Sequence, residues 1–411
     1  MSDAITRKNN YKLISLMYAY VICITVLNLP ISVFFHTGGM VFNICVVLAL
    51  AALNIRGMMG FRIKVSTLFY ILFLLEIYII TNAFTETALK REEFYFYFML
   101  ASIIGTYRCD YEKVLRYIMY ISLLIIPCAP VVFGDISETG VGGFLAMGTS
   151  FALLPGFMAG VIHFFFFRRK GKPFDKFCYI VDVIFLFLII MRGNRNMVLT
   201  ALVAVFCLYL KGWGKDSKRK KITFRLLLII ILVFVIFANF YDILSWVDET
   251  LKSFDIEARF IQKTIQMRDR GDVTNGRARI FSYTWEEIKK SPVWGHGAST
   301  IFYNSGNRIN YPHNFILQLL YDGGLLLTIP TLYILWKAIR YAFKGKDKAA
   351  SAFFLYLFLI CIPKMSLSSD LWKNHAFWIM LIHTLQYYMK EPESVEEETD
   401  DSTILSDATS S

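Results

Sequence analysis

The sequence predicts an all-α polytopic membrane protein: about twelve transmembrane helices, with one large extracytoplasmic loop between spans nine and ten. Composition is the first reason. Of 411 residues, 56% are hydrophobic and 18% charged, with a mean hydropathy of +0.49. The apolar runs are also unbroken, as in "FRLLLIIILVFVIFANFYDIL" (224–244). They approach the roughly 20 residues a membrane helix needs, where a barrel would show short alternating segments. Finally, Lys and Arg gather in every second loop, the mark of a chain threaded back and forth across a bilayer.

Spans begin near Tyr11, Met40, Val65, Phe94, Arg116, Phe144, Phe177, Asn196, Leu226, Asn314, Ala350 and Asn374. The first follows a basic start, Arg7, Lys8 and Lys12, but is long and lacks a small-residue cleavage site, so it reads as a retained helix. Loops carrying Arg56, Arg62 and Lys64, then Arg108, Lys113 and Arg116, then "RRKGKPFDK" (168–176), "KGWGKDSKRKKITFR" (211–225) and Lys337 to Lys348 read as cytoplasmic. The intervening segments, "FHTGGM", "TETALKREE", "GDISETGVGG", the "RGNR" corner, the stretch from about Trp246 to His313, and "SLSSDLWKN", then lie outside. Both termini fall in the cytoplasm.

Residues 1–389 thus read as a single transmembrane helical domain, with its extracytoplasmic loop at about 246–313. Residues 390–411 are acidic and poor in aromatics, the composition of a disordered cytoplasmic tail. The net charge of +11 reports topology and attraction to anionic membrane lipids, and no nucleic-acid partner is indicated. The seven cysteines sit in or beside apolar spans without CxxC spacing, so neither a disulfide framework nor a metal knuckle is expected.

Against this background, polar residues are expensive and therefore informative. "LIIMRGNRNMVLTAL" places Arg192 and Arg195 at the outer interface, three residues apart and able to share a helical face. Arginines there can simply snorkel to phospholipid headgroups. Alternatively they form an anion site, since guanidinium groups bind phosphate oxygens bidentately and a diphosphate can keep its lipid tail in the membrane. In the long loop, "MRDRGDVTNGRARIFSYTWEEIKKSPVWGHG" (267–297) sets Arg268, Arg270, Arg277 and Arg279 among turn formers and aromatics. Ile280, Phe281, Trp285 and Ile288 recur at helical spacing, which predicts a short interfacial helix ending before Pro292.

"YPHNFILQLLYDGG" (311–324) puts an imidazole at the mouth of span ten. Pro312 suits a first helical position, so His313 is expected in the first turn, where the helix dipole disfavours imidazolium. A neutral imidazole can take a proton from a hydroxyl while the same helix end holds an anion. The competing reading is a histidine that merely sits at an interface helix end. His36, His296 and His375 are plainer outer-loop residues, while His163 and His383 lie nearer the inside.

At these residues the sequence resembles the O-antigen polymerase and O-antigen ligase superfamily of bacterial envelope glycosyltransferases. The resemblance runs through "NGRARIFSYTWEEIKKSPVWGHGASTIF", "HNFILQLLYDGG" and "GNRNMVLTAL". It involves Arg277, Trp285, Pro292, Gly295, Gly297, His313, Asn314, Gly324 and Arg195. Where relatives often read Ser-Arg-Gly at the corner, this chain has Asn194, Arg195 and Asn196, with Arg192 in addition.

The resemblance implies polymerisation of undecaprenyl-diphosphate-linked oligosaccharide repeat units, by inverting glycosyl transfer at the outer face of the bacterial cytoplasmic membrane. His313 is then the general base. Arg195 and Arg277 stabilise the leaving diphosphate, and Arg192, Arg279 and Asn314 are candidate substrate contacts. Implied partners are the lipid-linked oligosaccharides and membrane lipids, with flippase and chain-length regulator proteins as candidate neighbours. No cofactor or metal is expected, because no Asp-x-Asp pair stands in a phosphate-facing loop. Two alternatives stay open. One is ligase-type transfer of finished glycan to a lipid A core or another acceptor; the other is a transporter of lipid-linked oligosaccharides, which would show broken helices in paired repeats.

Overall fold

The computed structural model describes residues 2–35, 39–58, 62–83, 95–128, 140–168, 173–192, 200–201, 240–253, 261–262, 265–266, 276–306, 308–367 and 369–389. Among them every regular element is helical. In chain order these are α1 (Ser2–Ile22), α2 (Ile24–Phe35), α3 (Gly39–Leu53), α4 (Ile55–Met58) and α5 (Val65–Ala83). A π turn (Tyr95–Met99) leads into α6 (Leu100–Gly105). Then α7 (Tyr111–Ser122) tightens into a 3₁₀ turn (Leu123–Cys128). After α8 (Gly140–Phe166), α9 (Pro173–Arg192) and α10 (Phe240–Lys252) come α11 (Arg277–Lys290), α12 (Ile301–Asn304), α13 (Phe315–Lys344), α14 (Lys348–Leu367) and α15 (His375–Tyr387). The starts expected near Asn196 and Leu226 lie outside the described residues, as does the acidic tail.

Two of these helices, Phe315–Lys344 and Lys348–Ser366, are long and apolar enough to cross a bilayer. Tyr11–Ile22, Val41–Leu53, Val65–Ile77 and Ala152–Phe166 are shorter apolar helices. What they turn outward is more telling. On α5, Val65, Leu68, Phe69 and Leu72 are exposed, and on α9, Tyr179, Ile180, Val183, Ile184 and Phe187. Each set is a continuous helical stripe of large apolar side chains, a surface that water would penalise and lipid would not. The chain is a helical membrane protein.

The core is organised around α15. Every residue from His375 to Gln386 is buried, so this helix is covered on all sides. It packs against α6, α13 and α14, with smaller contacts to α5 and α1. Trp378, Phe377, Phe353, Phe354, Tyr18 and Phe98 fill the space around it with less than 2% exposure each. Its buried His383 is satisfied locally, bonding the Tyr18 hydroxyl at 3.0 Å, the Tyr111 hydroxyl at 2.9 Å and the Gly105 carbonyl at 2.8 Å. Burying such a ring without partners would cost a few kcal/mol, of order 1–3.

Connectivity then fixes the neighbourhood of interest. The chain enters α13 at Asn314, returns through α14, and re-enters the same end of the bundle at Asn374. Both helices open on an asparagine cap: Asn314 accepts from Ile316 N (3.0 Å) and Leu317 N (3.2 Å), and Asn374 from Phe377 N (3.3 Å).

Candidate functional site

The site is built on α11 and the broken first part of α13. Gly276 turns the chain with φ +75° and starts α11 directly at Arg277. As the apolar spacing predicts, this helix is amphipathic and stops at Lys290, with Thr284 and Ile288 on its buried side. Ile288, Ile301 and Tyr321 form a small cluster that seats α11 and α12 on α13. Tyr283 donates to Asn304 O at 2.7 Å and Asn304 donates to the Tyr321 hydroxyl at 2.8 Å.

Within α13, Gly323 (φ −137°) and Gly324 (φ +59°, ψ −155°) leave helical geometry. The backbone groups released by this break are taken up by residues 292–297. His296 N donates to Tyr321 O at 2.7 Å and Gly297 N to Asp322 O at 2.8 Å. In return, Leu325 N donates to Pro292 O at 2.9 Å and Leu326 N to Val293 O at 3.2 Å. Four backbone groups at the break are thereby paired, which a gap in a helix inside a membrane protein requires.

Both segments need glycine where they meet. Gly295 has φ +72°, and a Cβ on it would lie 2.6 Å from Gly324 N and 2.7 Å from Tyr321 O. A Cβ on Gly324 would drive into the Val293 carbonyl. His296 contributes to the same staple, with its Nε2 2.7 Å from Glu287 O and its ring stacked on Tyr321 at 4.9 Å. Gly324→Ala is expected to cost on the order of 3 kcal/mol, from the positive φ and the clash together. Thermal unfolding of the purified protein checks this; an unchanged midpoint would mean that the staple contributes nothing.

Below the break, Asp322 is 2% exposed and its Oδ2 accepts from Trp372 Nε1 at 2.7 Å. One turn earlier, Gln318 donates to Asp370 Oδ1 at 2.8 Å and accepts from Leu371 N at 3.0 Å. Asp370 also accepts from Trp372 N at 3.1 Å. These bonds fix the 369–374 segment against the first turns of α13. Gln318, Asp322, Asp370 and Trp372 went unassigned from sequence. An aspartate inside an apolar helix was the one visible signal.

His313 is not in the first turn of α13. Asn314 is the cap, and the histidine precedes it with φ +58°, a conformation uncommon for any residue but glycine. Pro312 looked like a first helical position, but the asparagine side chain satisfies two helix-end N–H groups and decides where the helix begins. The His313 ring lies 4.2 Å from that of Tyr311. Burial, and after it the Arg277 guanidinium, lower the imidazole from its ordinary 6.5 to about 4. It is therefore neutral at physiological pH, and its Nδ1 is buried with no hydrogen-bond partner among the described residues. Orphaned buried nitrogens are uncommon, and functional sites are one place they occur.

The structure thus brings the Arg277 guanidinium, from the middle of the loop, within electrostatic reach of His313 at its end. Asn314 adjoins them but spends its side-chain oxygen on capping. Arg279 is exposed on α11 and lies two residues from Arg277, on another face of the helix. Arg192 is the last residue of α9, and Arg195 lies outside the described residues.

Residues 180–332 match the O-antigen ligase family, in keeping with the resemblance carried by the motifs above. The matched segment contains α11, the staple and His313, and it stops inside α13. The match supports glycan transfer of the ligase or polymerase type. No curated protein and no solved structure matches the chain.

Proposed function

We propose that the protein polymerises undecaprenyl-diphosphate-linked repeat units into a surface polysaccharide at the outer face of the cytoplasmic membrane. The observation that carries this reading is a neutral imidazole with an unfilled ring nitrogen, held beside an arginine at the mouth of α13. The acceptor hydroxyl gives its proton to His313 and its oxygen forms a bond to the donor's anomeric carbon. The bond from that carbon to the diphosphate breaks, and the diphosphate departs with the electron pair. Arg277, with Arg195 and Arg192, stabilises the charge that grows on it. One displacement of this kind inverts the anomeric centre.

The family match is named for ligases, which keeps the transfer of finished glycan to a lipid A core as the second reading. The acceptor alone separates the two. Cells lacking the protein should accumulate single lipid-linked repeats; long unattached chains would instead establish the ligase. Repeats trapped on the inner leaflet would establish a transporter. Broken helices also occur in transporters, but this break is closed by backbone bonds from residues 292–297 rather than left open to cargo.

The reading requires the loop to face outward, with about twelve spans and both termini inside. A cysteine placed at Asn275 should react with a membrane-impermeant thiol reagent applied to intact cells, and one at Lys218 should not. Reversed labelling would remove the site from the face where the donor is presented.

A further inference from the structure

The far ends of α13 and α15, away from His313, frame a cavity of about 560 Å3. That is within the roughly 300–1,000 Å3 of small-molecule sites. It opens where the start of α1, the 108–110 turn, the connection from α13 to α14 and the end of α15 come together. The 13 residues of α15 put about 20 Å between it and Asn374. Tyr11, Tyr111, Tyr341, Tyr387 and Tyr388 make up half of its described lining. The rings are held in place. The Tyr111 hydroxyl lies 2.7 Å from that of Tyr388 and 2.9 Å from His383 Nε2, and Tyr387 donates to Thr106 O at 2.6 Å. Walls fixed in this way lose little freedom when a flat ring settles against them.

The charges around the cavity are unequally committed. Asp110 pairs with Lys113 and caps α7, accepting from Lys113 N at 3.2 Å. Asp347 accepts from Ala349 N at 2.9 Å and Ala350 N at 3.1 Å, at the start of α14. Arg108 is exposed, stands over the Tyr387 ring at 5.0 Å, and pairs with no carboxylate among the described residues. The charge left to a ligand is therefore a guanidinium, whose planar fork matches the oxygens of a phosphate. We infer that this cavity binds a nucleotide, with its base against the tyrosines and its phosphate on Arg108. Inorganic phosphate would leave the aromatic walls unused, and an organic cation would meet Arg108; a nucleotide uses both features. Tyrosine faces accept any base, because every base has a π-face. On the orientation proposed above, the cavity faces the cytoplasm while glycan transfer takes place outside. The nucleotide is then an effector and not a substrate, a role that rests on that orientation, whereas the binding does not.

Equilibrium binding of uridine, adenosine and guanosine monophosphates to the full-length protein in phosphatidylcholine nanodiscs tests the site. At least one should bind saturably, at one equivalent. Arg108→Gln should weaken it about tenfold to 100-fold, the loss of one charge-assisted pair. The same substitution should leave the corresponding nucleoside, which has no phosphate, unaffected, and its retained binding shows that the variant is folded. Tyr11→Ala, at another exposed position, should weaken nucleotide and nucleoside alike. Absence of saturable binding by all three nucleotides overturns the inference. So does inorganic phosphate that competes as well as the nucleotide, because the cavity would then be a plain anion site. Binding that appears only after removal of residues 390–411 overturns it too, since that acidic segment of the chain would be the occupant. None of these measurements involves glycan transfer, so they fail separately from the polymerase reading. Inverted membrane vesicles should bind the nucleotide and right-side-out vesicles should not; the reverse would overturn the orientation and the effector role with it.

Discussion

His313→Ala is expected to slow chain growth by about 100-fold to 10,000-fold, the usual consequence of losing a general base. Abundance and membrane insertion should be close to wild type, because the ring lies outside α13 and its buried Nδ1 has no protein partner among the described residues to lose. Relief of the positive φ would, if anything, be favoured by His313→Gly. That variant should be equally inactive, which separates chemistry from folding. Near-normal polymer length and amount in either variant would rule out His313 as the base.

Arg277→Gln is expected to lower kcat/KM by about 100-fold to 1000-fold, the range seen when one donor to a developing anion is removed. Its pH signature is more specific. In the free protein the imidazole titrates near 4, partly because Arg277 opposes the imidazolium. A base must be deprotonated, so kcat/KM should hold constant down to about pH 5 and fall through pH 4. Removing the guanidinium charge raises the imidazole pKa, and the acid limb should move to higher pH. Arg277→Lys keeps the charge and should leave the limb in place, yet it loses the planar fork and remains strongly impaired. Bound diphosphate offsets the same charge. The acid limb of kcat, which reports the complex, should therefore lie above that of kcat/KM, and donor binding makes the base stronger when it is needed. Coincident limbs in wild type and Arg277→Gln would show that the two residues do not act together.

What could be read from sequence was local. The span of α11 followed from Ile280, Phe281, Trp285 and Ile288 at helical spacing with Pro292 beyond them. The start of α15 near Asn374 was placed by the apolar run that follows it. The start of α13 near Asn314 was also legible, but Pro312 wrongly drew His313 into the first turn, because proline and asparagine both signal helix entry and only geometry shows which is used. Pairings over distance left no trace. Gly323 and Gly324 are visible as a weak point in a helix, but nothing in the chain says that residues 292–297 fill it. Trp372 is 50 residues from the Asp322 it satisfies. Likewise the meeting of Arg277 with His313 depends on how a loop folds back, and residue spacing does not encode that.

The order in which the chain is made gives α15 one more consequence. It is downstream of α1, α5, α6, α13 and α14, the helices that surround it, and synthesis adds only about 5–20 residues per second. For some seconds, then, the membrane holds a bundle whose middle position is vacant, with its aromatic walls facing lipid or one another. Assembly of this protein cannot finish from the N-terminus forward; it waits for one late insertion. A nonsense or frameshift lesion upstream of Asn374 should accordingly leave a protein that quality-control proteases remove, rather than a shortened enzyme with reduced activity.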